Sequence, residues 1–182
     1  MRNLESLRES VTKSIRTIPD FPKPGIQFRD ISTLLKNPEA YKNSIVLLGS
    51  STSDLDFNVI AAAESRGFLF GCPLAIQLQL PVVMVRKKGK LPGDVIRQEY
   101  QLEYGTDSIE VSKDSFNSED RVLIVDDLMA TGGTVEAICQ LVEKCGAQVA
   151  GIACLVDLPD LGGSKKLSDK YPVRSVVEFQ GE

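Results

Sequence analysis

The segment Asp126-Asp127-Leu128-Met129-Ala130-Thr131-Gly132-Gly133-Thr134 constrains the fold more than any other part of this 182-residue chain. Residues 121–125 before it read Arg-Val-Leu-Ile-Val, a short apolar, β-branched run of the kind buried in a parallel sheet. After it, Val135, Ile138, Cys139 and Val142 recur at helical spacing. The junction is therefore strand, turn, helix, with two acids at the carboxyl end of a buried strand, where open α/β sheets place ligands. In the Thr-Gly-Gly-Thr turn, glycines let backbone N–H groups converge, hydroxyls add donors, and the helix start adds partial positive charge. That is a phosphate cradle. The acids beside it would repel the same phosphate and suit hydroxyl groups, or a cation between them and further phosphate. The Walker loop does not fit, because no lysine follows the glycines. The segment asks for a ligand with a phosphate at one end and a hydroxylated middle, a sugar phosphate.

This pattern resembles the phosphoribosyl-diphosphate signature of the type I phosphoribosyltransferases. The resemblance implies that Asp126 and Asp127 contact ribose hydroxyls and that Ala130, Thr131, Gly132, Gly133 and Thr134 hold a 5′-phosphate.

The length fits one domain, residues 1–182, and 42% hydrophobic residues suffice for a core. No apolar run reaches membrane-spanning length and no cleavable signal pattern is present, so a cytoplasmic protein without membrane partners is expected. The four cysteines lack metal-ligand spacing and read as small core residues of a reduced compartment. Histidine is absent, which excludes His-based acid–base catalysis and histidine metal ligation. A net charge of −4 argues against a broad nucleic-acid surface.

Leu4, Leu7, Val11, Ile15 and Ile18 predict an amphipathic N-terminal helix ended by Pro19. The Pro/Gly-punctuated stretch 20–30 cannot be regular helix, and Asn37-Pro38 opens the next one. Strands over 57–63, 82–85, 121–125, 149–156 and 173–177 alternate with helices over 67–79, with Leu69, Cys72 and Ile76 on one face, and 132–145. This predicts an α/β fold with a doubly wound, mainly parallel sheet, its core spanning about 55–160. A basic, Gly/Pro-containing excursion over 86–113 breaks the rhythm. Alternating arms over 100–104 and 108–111 around Gly105-Thr106-Asp107 predict a β-hairpin, and the whole excursion reads as a flexible lid.

Glu64-Ser65-Arg66-Gly67 follows a strand and opens a helix, which makes a second anion site around Arg66. Alone, an Arg-Gly at a helix start is commonplace; two such sites at neighbouring strand ends suit a ligand with phosphates at both ends. Arg86-Lys87-Lys88-Gly89-Lys90 supplies cations on the same face, although such a run is usually a solvated loop. Together with Pro24-Gly25-Ile26-Gln27-Phe28-Arg29-Asp30 and Leu102-Glu103-Tyr104-Gly105, these stretches resemble the adenine branch of the phosphoribosyltransferases from about residue 20 to 161. That resemblance implies transfer of 5-phosphoribosyl from phosphoribosyl diphosphate to N9 of adenine, giving AMP and diphosphate, in purine salvage. It implies an N-terminal hood (about 1–35) in which Gln27, Phe28 and Arg29, with Leu128, meet adenine. Glu64, Ser65, Arg66, Arg86 and Lys87 would bind diphosphate, and Glu103, Arg66, Lys87 and Lys90 would act in catalysis. It also implies a cis Glu64–Ser65 peptide, a homodimer, and Mg²⁺ held mainly by substrate oxygens and water, with no direct protein ligand. The family's more usual residues are Gly where Ala62 stands and Leu where Met129 stands. Two other readings stay open: a different purine, such as hypoxanthine, or a non-catalytic sugar-phosphate sensor. A sensor needs no cations and Glu103 on a closing hairpin, and the sequence offers no helix-turn-helix or basic arm.

Overall fold

The structure is a computed structural model and describes residues 3–101 and 106–181. Helix α1 (Leu4–Ser14) leads into a ribbon of β1 (Arg16–Pro19) and β2 (Gln27–Asp30), followed by α2 (Ser32–Leu35) and α3 (Pro38–Ser51). The α/β core follows as β3 (Val59–Ala63), α4 (Phe68–Leu78), β4 (Val82–Lys87), β5 (Val95–Gln101), β6 (Thr106–Ser112), β7 (Arg121–Met129), α5 (Gly133–Lys144) and β8 (Gln148–Asp157). A short turn at Pro159–Leu161, α6 (Gly163–Ser168) and β9 (Val173–Glu178) complete it.

The main sheet has seven strands in the order β5-β6-β4-β3-β7-β8-β9. From β4 to β9 the pairs are parallel, while β5 and β6 add an antiparallel edge. The sequence accounts for this arrangement. The central β3 reads Val-Ile-Ala-Ala-Ala and is buried throughout, because helices cover both faces. Alternate residues feed two cores: Ile60, Leu123 and Val125 pack with α1, α3 and α4, while Val59, Ala61 and Ile124 pack with α5. Phe70, fully buried in the first core, would cost about 3–5 kcal/mol if cut to alanine. Ala62 lies under α4, where a Cβ on Gly71 would come within 2.6 Å of the Ala62 Cβ. The larger residue at 62 is thus accommodated by the absence of a side chain at 71.

Several sequence expectations need correction. The first helix stops at Ser14, not at Pro19; Ile18 lies in β1, opposite Phe28. A 3–4 spacing continued by chance into a β-branched stretch, and pairing with β2 decided its conformation. On α4 the face carrying Leu69, Cys72 and Ile76 points outward. Phe70, Gly71, Leu74 and Ala75 are the buried ones, and Ile76 is 80% exposed. The strand carrying the acids runs on through them to Met129, because β8 keeps pairing as far as Asp157. The hairpin is longer than its alternation indicated and is docked in the sheet through Arg86↔Glu110 and Lys87↔Ile109. Of the predicted turn, Thr106 and Asp107 belong to β6, while Gly105 and the arm residues 102–104, Glu103 among them, lie outside the described residues.

Candidate active site

Two adjoining cavities open at the carboxyl ends of β3, β4 and β7. One, of about 610 Å³, is walled by Glu64, Ser65, Lys87, Tyr100, Asp107 and Asp127. The other, of about 740 Å³, is walled by the hood residues Gln27, Phe28 and Arg29, by residues 130–133, and by Leu158 and Leu161. Arg66, Asp126, Leu128 and Thr134 belong to both. A single ligand spanning both cavities would therefore pass the acidic pair at its middle.

The acids sit there because β7 extends past its buried part into the cleft. Asp126 is half-buried and Asp127 buried. The Asp127 N–H donates to Asp126 Oδ1 at 2.8 Å. Arg66 Nε lies 3.0 Å from Asp127 Oδ2, close enough for an ion pair, yet that oxygen has no aligned hydrogen-bond donor among the described residues. Burial raises both carboxyls above the ordinary range. The neighbouring Asp127 charge pushes Asp126 further, while Arg66 partly offsets the effect at Asp127. With acceptor oxygens left over at the cavity wall, Asp127 Oδ2 among them, the pair is suited to accept from incoming hydroxyl groups.

The loop after them is built without charged side chains. Gly132 has φ 79°, a left-handed conformation that directs the chain into α5 and leaves the helix N-terminus facing the cavity. Its outer wall is Gly163, whose N–H donates to Ala130 O at 3.0 Å. A Cβ on Gly163 would lie 2.2 Å from that oxygen and 2.6 Å from Gly132 N. Gly163 thus fixes the shape of the predicted phosphate loop. The contact lies beyond residue 161, where the family resemblance stops, and the Gly162-Gly163 doublet is its one sequence signal.

At the other end, the peptide between Glu64 and Ser65 is cis, as expected. Glu64 Oε2 accepts from Arg86 Nε at 2.9 Å and from the Lys87 N–H at 2.8 Å. Burial pushes this carboxyl up, but those donors outweigh it and hold it below the ordinary range. The Arg86 side chain is thereby turned onto Glu64, near the Phe68 ring, and neither Arg86 nor Lys90 lines a cavity. Lys87 does line one, with Nζ 3.6 Å from Asp107 Oδ2. The Tyr100 hydroxyl donates to the same oxygen at 3.3 Å. Asp107 and Tyr100 were not singled out as site residues, because the sequence placed Asp107 in a turn rather than in β6. The base of the basic loop is tied down by Glu110. Its Oε1 accepts the N–H groups of Gly89, Lys90 and Leu91 at 2.8, 3.2 and 3.4 Å, and Arg97 grips Oε2 at 2.9 Å.

In the hood, Phe28 meets Phe21 edge-on at 5.2 Å, and the Arg66 guanidinium stands 5.9 Å from the Phe28 ring. Glu103, the one predicted lid carboxylate, lies outside the described residues.

Comparisons with known proteins agree with this geometry. A profile of the phosphoribosyl transferase domain matches residues 30–181. The chain is 47% identical to an adenine phosphoribosyltransferase of Shewanella frigidimarina over 183 residues, covering all of both. It is 50% identical to that of Butyrivibrio fibrisolvens over 174 residues, covering 96% of each. The crystal structure of adenine phosphoribosyltransferase from Thermoanaerobacter pseudethanolicus superposes with a TM-score of 0.90 at 49% identity, covering 94% of this chain and 99% of that one. The Saccharomyces cerevisiae enzyme, solved with an imino-altritol bisphosphate and adenine, gives 0.88 at 34% identity over 95% and 99%. The chain belongs to the adenine phosphoribosyltransferase family, pentosyltransferases that convert adenine and phosphoribosyl diphosphate to AMP and diphosphate.

Proposed function

We propose that the two joined cavities hold phosphoribosyl diphosphate end to end, with adenine under the hood. The observation that carries this reading is the shared wall of Arg66, Asp126, Leu128 and Thr134 between an anion pocket and a phosphate-loop pocket. Residues 130–134 take the 5′-phosphate through backbone N–H groups. Asp126 and Asp127 accept from the ribose hydroxyls. The backbone at Glu64 and Ser65, with Arg66 and Lys87, takes the diphosphate; Arg86 acts there through Glu64.

Breaking the bond between C1 and diphosphate leaves oxocarbenium character on the sugar and adds negative charge to the leaving group. Arg66 and Lys87 stabilise that charge. No protein nucleophile is required, because adenine N9 attacks C1. Phe28 stacks on the base and the Gln27 and Arg29 backbone reads its amino edge. Hypoxanthine would instead set a buried carbonyl against an acceptor. The 88–100 stretch and the hairpin, with Glu103 and Lys90, close over the reactants and exclude water.

Mg²⁺ fits this donor set as a companion of the substrate. Among the described residues no cluster of three or more acidic, cysteine or histidine side chains could cage an ion. The carboxylates that line the first cavity are Glu64, Asp107, Asp126 and Asp127. Bound through phosphate and hydroxyl oxygens, the ion would neutralise the diphosphate. The exposed apolar face of Leu69 and Ile76 on α4 and Val82 and Met84 on β4 supports a homodimer. The four free thiols, of which Cys139 and Cys154 are buried, support a reducing, cytoplasmic setting. The activity assay is direct: incubate the protein with phosphoribosyl diphosphate, Mg²⁺ and each purine base. Adenine should give AMP, with kcat/KM exceeding that for hypoxanthine by about 10³ or more. Comparable turnover of both bases would remove the hood from the reading.

A further inference from the structure

On β2, Phe28 and Arg29 both border the cavity, and Arg29 is only 9% exposed. Arg29 has no carboxylate within ion-pair distance among the described residues. It is instead held by the end of the chain. Its Nη2 donates to the Gln180 carbonyl at 2.9 Å, and its guanidinium stands over the Phe179 ring, 4.6 Å from the centroid. The other terminal nitrogen donates to Thr17 Oγ1 on β1 at 2.6 Å.

The tail is itself anchored beside the cavity floor. The Phe179 N–H donates to Asp157 O at 3.0 Å, and the Gly181 N–H donates to Asp160 Oδ2 at 2.7 Å. Phe179 packs against the core that carries α1 and α3. Asp157 ends β8, and the neighbouring Leu158 and Leu161 line the same cavity as Phe28.

We propose that residues 179–181 are a latch for the hood, with Phe179 and Arg29 as positioning residues for adenine. The latch sets the height of β2 above the cavity and so the gap into which the base slides beside Phe28. A two-stranded ribbon is marginal by itself, so its placement needs an outside anchor. A buried guanidinium held by a carbonyl, a hydroxyl and a ring face is a demanding anchor. It has few alternative positions, since leaving the ring and the carbonyl strands the charge. The inference rests on the reading that the hood binds adenine.

Four variants test it, each assayed for kcat and for the KM of both substrates, with hydrogen exchange at residues 26–30 as a second readout. Phe179→Ala and Phe179→Leu should raise the KM for adenine by about 3- to 30-fold, the range of a lost cation–π contact. They should leave the KM for phosphoribosyl diphosphate within about twofold and speed exchange in the hood. Phe179→Tyr, which keeps the ring face, should restore the native adenine KM. The Leu variant decides the matter if the Ala variant does not fold. Phe28→Ala separates the two layers of the argument. If it raises the adenine KM while the Ala and Leu variants at 179 leave it unchanged, the latch is refuted and the hood stands. If Phe28→Ala leaves the adenine KM unchanged, the hood reading falls and the latch falls with it. An equal rise in both KM values in the 179 variants would make Phe179 merely structural and overturn the proposal.

Discussion

The two ends of the cleft to which we assign the anions are built on opposite plans. At the phosphate loop there are no charged side chains: backbone N–H groups, a helix start and glycines in close contact form a shape that cannot relax. At the diphosphate end the cations are side chains already engaged with carboxylates, Arg66 with Asp127 and Lys87 with Asp107. The Lys87 side chain is 57% exposed, so its pair is worth no more than about 1 kcal/mol and exchanges readily for another anion. The difference suits the fate each phosphate has under the proposed assignment. The 5′-phosphate keeps its charge throughout, so fixed dipoles suffice. The diphosphate gains charge and departs, so its partners must be able to move with it.

The largest effect should come from the junction between the two ends. Asp126→Asn combined with Asp127→Asn should lower kcat/KM by about 10²–10⁴-fold, as lost hydrogen bonds to charged groups imply. The same variant should be more stable than the parent at neutral pH. Both carboxyls are raised in the fold, so their ionised forms cost stability that is regained only as pH falls through the raised values. Melting should rise by about 2–4 °C for each kcal/mol relieved. Near-native turnover, or a lower melting temperature, would break the assignment.

Gly163→Ala should distinguish the rigid end. Forcing a methyl against Ala130 O costs about 1–3 kcal/mol, which should appear as roughly 5- to 150-fold weaker binding of phosphoribosyl diphosphate. An unchanged KM would show that the loop yields and is not shape-fixed.

A comparable cost, read in stability, should follow Glu110→Gln, which removes the carboxylate that holds three loop N–H groups and Arg97. We expect a loss of about 2–3 kcal/mol, measured by urea unfolding, and faster hydrogen exchange over residues 88–94. The smallest effect belongs to Lys87→Ala, with kcat reduced by about 3- to 10-fold and the adenine KM unchanged. A loss as large as that of the acidic pair would mean that the mobile end is not redundant.

Much of this contrast could be read in the chain itself. The strand–acid–glycine–helix run announced its own chemistry, since each of its residue types serves the same phosphate. Arg66 followed from its place at a second strand end. What stayed hidden depended on contacts distant in sequence. The Gly162-Gly163 doublet marks a close approach without saying that Ala130 makes it, and nothing near Arg29 says that Gln180 closes over it. The outward turn of Leu69 and Ile76 was illegible for a related reason. A helix that is apolar on nearly every side has no sequence signal for which face meets the sheet. Of the stripe predicted for α1, Leu7, Val11 and Ile15 are buried, but Leu4 is exposed and the repeat ran on to Ile18, past the end of the helix at Ser14.

The crowding of Asp126 against Asp127 has a thermochemical consequence. An unliganded cleft with raised carboxyls carries protons more readily than ordinary acids would, whereas accepting from several ribose hydroxyls favours the ionised form. Binding of the sugar should therefore expel protons into solution. The heat measured on titrating phosphoribosyl diphosphate would then change with the ionisation enthalpy of the buffer, most strongly on the acidic side of neutrality.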